Sequence, residues 1–392
     1  MRRVYLDNNA TTKTDSKVLE AMLPYFCEVY GNAHSMHSFG QEAGKALGTA
    51  RETISNVLKI EKSELIFTGT GVEGNNLAIR GIARAYKRRG NHIITSAIEH
   101  PGTKNTCQDL EREGFEVTYV PVDKNGVIIV EELKKAIKRE TILVTIMHAN
   151  NETGVVQPIE EIAKLTKENK IIFHTDAVQT VGKIPVYPKE LGVDLMTFSG
   201  HKFNGPKGTA GLFVRNGVRL GKVITGGGQE RKIRPGTTNL AGVVGMAKAL
   251  ELATTNMDKK IKEEEELRAF FEKEMIERVP EIKINGKDAT RLPGTSSVSF
   301  TYLEGESILL GLDYKGIAVS SGSACSSDDL EASHVLLAMG IEVVDAHGTI
   351  RFSLGKFTTR EDIEYVIEEA PKVIEKLRMI SPLWNEFQIE NK

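Results

Sequence analysis

The chain has 392 residues, enough for two domains of ordinary size around a large buried core. Its 51 Lys and Arg nearly balance 53 Asp and Glu, so a formal net charge of -2 gives no electrostatic reason to bind nucleic acid or an anionic membrane, and a small polar substrate is the natural partner. The start, "MRRVYLDNNATT", has no apolar run behind its arginines, and no later stretch reaches the roughly 18 apolar residues of a membrane span, so a cytoplasmic protein is expected.

In chain order, strand-like "ELIFT" (64–68) precedes helix-like "NNLAIRGIARAYKRRG" (75–90), whose Ile79, Ile82, Ala83 and Tyr86 repeat at the spacing of a buried stripe. "HIITSA", "FEVTYVPV", "TILVTIM", "KIIFHT", "VDLMTFS" and "TAGLFVR" follow as strands, several of them separated by helical patterns such as "EELKKAIK" and "IEEIAKLTKE". This alternation predicts an α/β domain with a mainly parallel sheet sandwiched by helices. Near residue 250 the pattern changes: a long charged helix (257–279) can line one side with Ile261, Leu267, Phe270, Phe271 and Met275. Strand-like "SSVSF", "GIAVSS" and "TIRFSL" and a last helix from about Arg360 to Arg378 complete a smaller α+β unit. Residues 15–255 are read as the large cofactor-binding domain, and 1–14 with 256–392 as the small one.

Ligands of an open parallel sheet bind beyond the carboxyl ends of its strands. The residues there are Gly69 to Gly74, Glu99 and His100, "HANNETG" (148–154), "TDAVQ" (175–179) and "SGHKFNGPKG" (199–208). "GTGVEG" (69–74) is a literal G-x-G-x-x-G, and Glu99 stands 25 residues past Gly74 where a dinucleotide's ribose would want an acid, so NAD is one candidate. Pyridoxal phosphate is another. It needs a lysine, a carboxylate for the pyridine nitrogen, a flat group over the ring and backbone donors for a phosphate. Asp176 would hold the pyridinium proton, His100 would stack on the ring, and the helix starting near Asn75 would face the phosphate.

Three cysteines, Cys27, Cys107 and Cys325, form no C-x-x-C, so neither a disulfide framework nor a metal site is expected. Cys325 sits in "SSGSACSSDD", which has little apolar area to bury and reads as a mobile loop presenting a reactive thiol.

Taken together, "SGHKFNGPKG", "HTDAVQTVGKIPV" and "SSGSACSS", with "VYLDNNATT", "YGNAHSMH", "MHANNETGVVQPI", "GGGQERKIRPGT", "IRFSLGKFTT" and "SPLW", resemble the NifS/IscS-type cysteine desulfurases over nearly the whole chain. Those are pyridoxal-phosphate enzymes of the aspartate-aminotransferase fold. The resemblance implies Lys202, rather than nearby Lys207, as the Schiff-base lysine, Asp176 on the pyridine nitrogen, Asn151 and Gln179 near the ring hydroxyl, and His100 over the ring. Ser199 and His201 would reach the phosphate with backbone groups of Gly71 and Val72. Thr237 would reach the phosphate of the other subunit, implying a homodimer with shared active sites. The chain departs from the family at Val72, where a hydroxyl residue is usual, which implies weaker cofactor retention.

The implied reaction takes L-cysteine to L-alanine, with Lys202 as base, His100 as proton carrier, Arg351 clamping the substrate carboxylate and Cys325 collecting the sulfur as a persulfide. A selenocysteine lyase, or another enzyme of this fold, is the alternative. The tail "MISPLWNEF", with Trp384, resembles a segment that docks an iron–sulfur scaffold or other sulfur acceptor.

Overall fold

The computed structural model describes residues 2–321 and 332–390; Cys325, the expected thiol, lies outside the described residues. The apolar runs form a seven-stranded sheet in the order Leu65–Thr68, Ala210–Val214, Leu195–Ser199, Ile172–Asp176, Thr141–Thr145, His92–Ser96 and Glu116–Val120. The last five pair in parallel. Ala210–Val214 runs antiparallel to both neighbours, because the segment 200–209 before it is too short for a crossover, which takes about a dozen residues or more. Leu65–Thr68 therefore points the same way as the parallel strands. The six of them end on one edge, and that edge carries the site.

Helices cover both faces. On one, Ile94, Val144, Phe173 and Phe198 share a core with Leu47, Ile54 and Met246 from the helices Ser38–Leu58 and Leu240–Thr254. On the other, Ile66, Ile93, Leu143 and Leu212 meet the expected stripe Ile79, Ile82 and Ala83 of the helix Gly71–Tyr86.

A four-stranded antiparallel sheet orders Ser320–Ser321, Thr349–Ser353, Thr295–Phe300 and Ile282–Ile284. Its core holds Phe271 and Met275 of the charged helix Met257–Arg278, Phe352, and Ile363 to Ile374 of the last long helix, Arg360–Ile380. Leu267 and Phe270 pack at its edge, whereas Ile261 lines a cavity. Val4 and Leu6 join this second core, and Val4–Tyr5 pairs in parallel with Ile317–Ala318. Val335, Leu336, Met339 and Ala346 return to the core of the large sheet, a crossing that composition does not signal.

Beyond the strand His92–Ser96, Glu99 is fully buried. Its Oε1 accepts from the Ser96 hydroxyl at 2.6 Å and the Met147 N–H at 2.9 Å, and Oε2 has no partner among the described residues. The acid that a dinucleotide would need is thus a tie between two strand ends. Burial pushes its carboxyl up to about 8 from 4.5, with the charge of Asp176 acting in the same direction. A folded-state value above the unfolded one gives stability that is complete below the unfolded value and fades as pH rises through the folded one. Glu99→Gln keeps the shape and the acceptor oxygen. It is expected to lose less thermal stability than the unsubstituted protein between about pH 5 and 9, and superimposable pH profiles of Tm would contradict this.

Candidate active site

At the end of Leu65–Thr68 the chain turns into the helix Gly71–Tyr86, which starts four residues before the expected Asn75. Thr70 supplies the reason: its hydroxyl caps the helix by accepting from the Glu73 N–H at 3.0 Å. Gly71 and Val72 thus fall in the first turn, where backbone N–H groups have no intrahelical partner and the helix dipole favours an anion. A Cβ on Gly71 would sit 2.9 Å from Val178 Cγ2, and one on Gly74 2.7 Å from Thr197 Cγ2. The glycines that mimic a dinucleotide fingerprint let this helix lie against the sheet. Glu73 accepts from the Gly69 N–H at 2.7 Å and pairs with Arg234 at 2.7 Å, which holds the turn.

The helix end opens on a cavity of about 200 Å³ lined by Thr70, Gly71, Val72, Asn75, His100, Met147, Ala149, Asn151, Asp176, Val178, Gln179, Ser199, His201 and Lys202. Nine of the expected site residues meet there, each at or shortly past a strand end.

Asp176, 7% exposed, closes the strand Ile172–Asp176. Its Oδ2 accepts from Asn75 Nδ2 at 2.6 Å and its Oδ1 from the Val178 N–H at 3.0 Å. The carboxylate is therefore held by donors and kept facing the cavity. His100 caps the helix Pro101–Arg112, its Nδ1 accepting from the Gly102 N–H at 3.0 Å. That bond puts the ring proton of the neutral imidazole on Nε2. Burial lowers the His100 pKa, Asp176 opposes the shift and Lys202 adds to it. His201 is pushed down to about 4 by burial and then by Lys202, Lys207 and Lys183, so it is neutral near pH 7.

Lys202 Nζ donates to the carbonyls of Asn9 at 2.5 Å and Ala10 at 2.8 Å. Lys207 is exposed and does not line the cavity. Gln179 Nε2 donates to the same Asn9 carbonyl at 3.0 Å. Val72, 45% exposed, leans its side chain on Gly102 beside His100.

Two expected residues stand apart from the cavity. Thr237 is exposed. Arg351 is 5% exposed, donates to the Asn151 carbonyl at 3.0 Å and pairs with Asp7 at 2.7 Å, while its buried Nε has no hydrogen-bond partner among the described residues. Sequence reasoning missed Thr70, Asn75 and Asn9. A threonine before a helical glycine is a capping signal, and Asn75 lies one helical turn after Gly71 on the inward face. Asn9 carries no local signal.

The residues fit pyridoxal phosphate. One end of the cavity is a helix N-terminus with Ser199 and His201, its wall has a buried, donor-held carboxylate, and a lysine nitrogen stands at its margin. The buried Oδ1 of Asn75 has no hydrogen-bond partner among the described residues, so this wall keeps an open acceptor.

The model of the class-V aminotransferase family matches residues 4–366. A cysteine desulfurase IscS of Dictyoglomus turgidum is 50% identical over 391 residues, covering 100% of this chain and 99% of that protein. Among solved structures, a NifS-like protein matches with a TM-score of 0.90 at 40% identity, covering 96% of this chain and 100% of its own. SspA in complex with cysteine matches with a TM-score of 0.78 at 35% identity, over 91% and 100%. The chain belongs to the class-V aminotransferase family, and the NifS/IscS-type likeness of its motifs holds over its whole length.

Proposed function

We propose that the protein is a pyridoxal-phosphate-dependent cysteine desulfurase, converting L-cysteine to L-alanine and retaining the sulfur as a persulfide on Cys325. The observation that carries this reading is the single cavity joining Lys202, Asp176, His100 and the N-terminus of the helix Gly71–Tyr86. Full-length relatives named cysteine desulfurase, and a similar structure solved with cysteine, support the substrate. In this reading residues 15–255 hold the cofactor, and 1–14 with 256–392 bring the substrate-binding groups.

Bound in the cavity, pyridoxal phosphate supplies an electron sink for the α-carbon of the substrate. Lys202 would hold the cofactor, and its Nζ would take the α-proton of the substrate. Asp176 keeps the ring nitrogen protonated, Asn151 and Gln179 orient the ring hydroxyl, and Ser199 and His201 join the first helical turn on the phosphate. His100, its Nδ1 occupied by the Gly102 N–H, moves protons at Nε2. Arg351 binds the substrate carboxylate through two parallel hydrogen bonds, a geometry that suits its planar fork. The Cys325 thiolate attacks the substrate sulfur. An S–S bond forms as the substrate Cβ–S bond breaks, and the carbon fragment takes up a proton at Cβ, recovers the α-proton from Lys202 and leaves as alanine.

The protein works as a homodimer in the cytoplasm. Thr237 is exposed and away from its own cavity, as a residue serving a neighbour's phosphate would be. Leu23, Phe26, Tyr30 and Phe39 are each more than half exposed, an apolar patch of the kind that marks a protein interface. The persulfide supplies sulfur to an iron–sulfur scaffold or another acceptor. Met379, Ile380, Leu383 and Ile389 expose apolar surface on the tail, beside a Trp384 that packs under Arg378 at 3.9 Å from its ring centre.

Three substitutions test the assignment. Lys202→Ala is expected to abolish the visible band of lysine-held cofactor and to cut alanine formation by about 10²–10⁴-fold; a retained band would move the assignment to Lys207. Cys325→Ser should retain the spectral response to L-cysteine yet release no sulfide under a reductant, and full turnover would remove Cys325 from the reaction. Val72→Thr is nearly isosteric and restores one hydroxyl at a half-exposed position. It should lower the cofactor Kd by about 3–10-fold, and an unchanged Kd would show that Val72 costs no retention.

A further inference from the structure

Lys202 also lines a second cavity, of about 310 Å³, together with Lys183, Lys260, Glu263, Glu264 and Lys356. Two of these lysines are engaged elsewhere: Lys260 donates to the Leu252 carbonyl at 2.6 Å, and Lys356 pairs with Asp15. Lys183 instead reaches the cofactor-side residues. Its ammonium donates to Asn9 Oδ1 at 2.8 Å and to Gln179 Oε1 at 2.9 Å. The Asn9 carbonyl in turn accepts from Lys202 Nζ at 2.5 Å and from Gln179 Nε2 at 3.0 Å. Two lysines and a glutamine converge on one asparagine.

An ammonium has donors only. Gln179 must therefore turn its oxygen to Lys183 and its NH₂ to Asn9, which keeps a second amide hydrogen on the side chain that lines the cofactor cavity. The charges interacting with Lys183 are Lys202, Glu264 and Arg351; those around Lys202 include His100, His201 and Lys183, with Asp176 beyond His100 and Lys207 beyond His201. Burial pulls Lys183 down to about 7, Lys202 and Arg351 add to this and Glu264 opposes it. The two lysines thus disfavour each other's protons.

We propose, resting on the cofactor reading above, that Lys183 is a positioning residue for the reaction: through Asn9 it sets a second positive charge beside the Lys202 nitrogen, and through Gln179 it fixes that amide with its donor end toward the cofactor. A cation beside an amine makes the amine a readier nucleophile and base.

The test is a spectrophotometric pH titration of the resting holoenzyme, whose visible band reports the proton on the lysine nitrogen that holds the cofactor. Lys183→Gln keeps hydrogen-bonding capacity while removing the charge. It is expected to raise the pH midpoint of the band by about one unit, and Lys183→Arg, which restores the charge, to return it toward the original value. Lys183→Met, a second neutral variant, should move the midpoint the same way if the glutamine variant folds poorly. A midpoint unmoved in the neutral variants, or moved as far in Lys183→Arg, overturns the proposal. No visible band in the unsubstituted protein supplied with pyridoxal phosphate overturns the cofactor reading itself and this proposal with it, whereas a normal band indifferent to Lys183 overturns this proposal alone.

Discussion

Asn9 is 2% exposed and nearly all of its polar groups are committed, which makes it the point on which the two sheets and the site depend together. Its N–H donates to the Ser353 hydroxyl, and its Nδ2 to the Asn151 carbonyl and Thr295 Oγ1. Its Oδ1 and carbonyl take the ends of Lys183, Lys202 and Gln179. A buried polar network is stable only when its members are satisfied. The N-terminal segment is therefore a fixed part of the wall: the small sheet, through Ser353 and Thr295, sets where the lysine of the large sheet can stand. Asp7 extends the same connection through its bridge to Ser353 and its pair with Arg351.

Around that anchor, burial and hydrogen bonding divide the ionisable groups into two kinds. His148, just past a strand, and His174, within one, are driven down to about 4 and about 3 by burial alone and serve as neutral hydrogen-bonding groups, paired with Thr180 and with Thr145 and Thr197 respectively. Asp176 is different, because two donors, from Asn75 and Val178, meet its oxygens, one on each. Glu99 lies three residues past the end of the strand His92–Ser96 and has another environment, with both donors on one oxygen, the other oxygen unmatched, and its pKa pushed up to about 8. Each carboxyl receives two donors, and what separates them is that Asp176 has one on each oxygen whereas both of those to Glu99 fall on Oε1.

That distinction marks what could be read in the sequence. The strand runs, the crevice at their carboxyl ends and the stripe of the helix after the glycine turn follow from local periodicity, and periodicity survives folding. Asp176 and His100 were legible for the same reason, since one closes a strand and the other follows one within four residues. The antiparallel direction of Ala210–Val214 was implicit in the short segment before it but hidden by its apolar composition, which resembles that of its parallel neighbours. Glu99 looked like a ribose ligand because spacing along the chain says nothing about whether a carboxylate faces a cavity or a backbone N–H. Asn9 and Lys183 were illegible: their roles come from contacts spanning the chain from residue 9 to residues 179, 183 and 202.

The same reasoning explains why Arg351 can be both a structural ion pair and the substrate clamp of the proposed reaction. A buried guanidinium without a partner is costly, so a substrate-binding arginine at 5% exposure needs a carboxylate when substrate is absent. Asp7 supplies it at 2.7 Å, and its side chain is 21% exposed, so water can receive the Asp7 charge when it is displaced. The Asn151 carbonyl accepts from the other terminal guanidinium nitrogen at 3.0 Å, on the residue proposed for the ring hydroxyl. In the proposed reaction, binding of an amino-acid carboxylate would exchange one anion for another instead of burying a new charge pair. This keeps the cost of desolvation small and leaves selectivity to the geometry that joins Arg351 to the cavity wall.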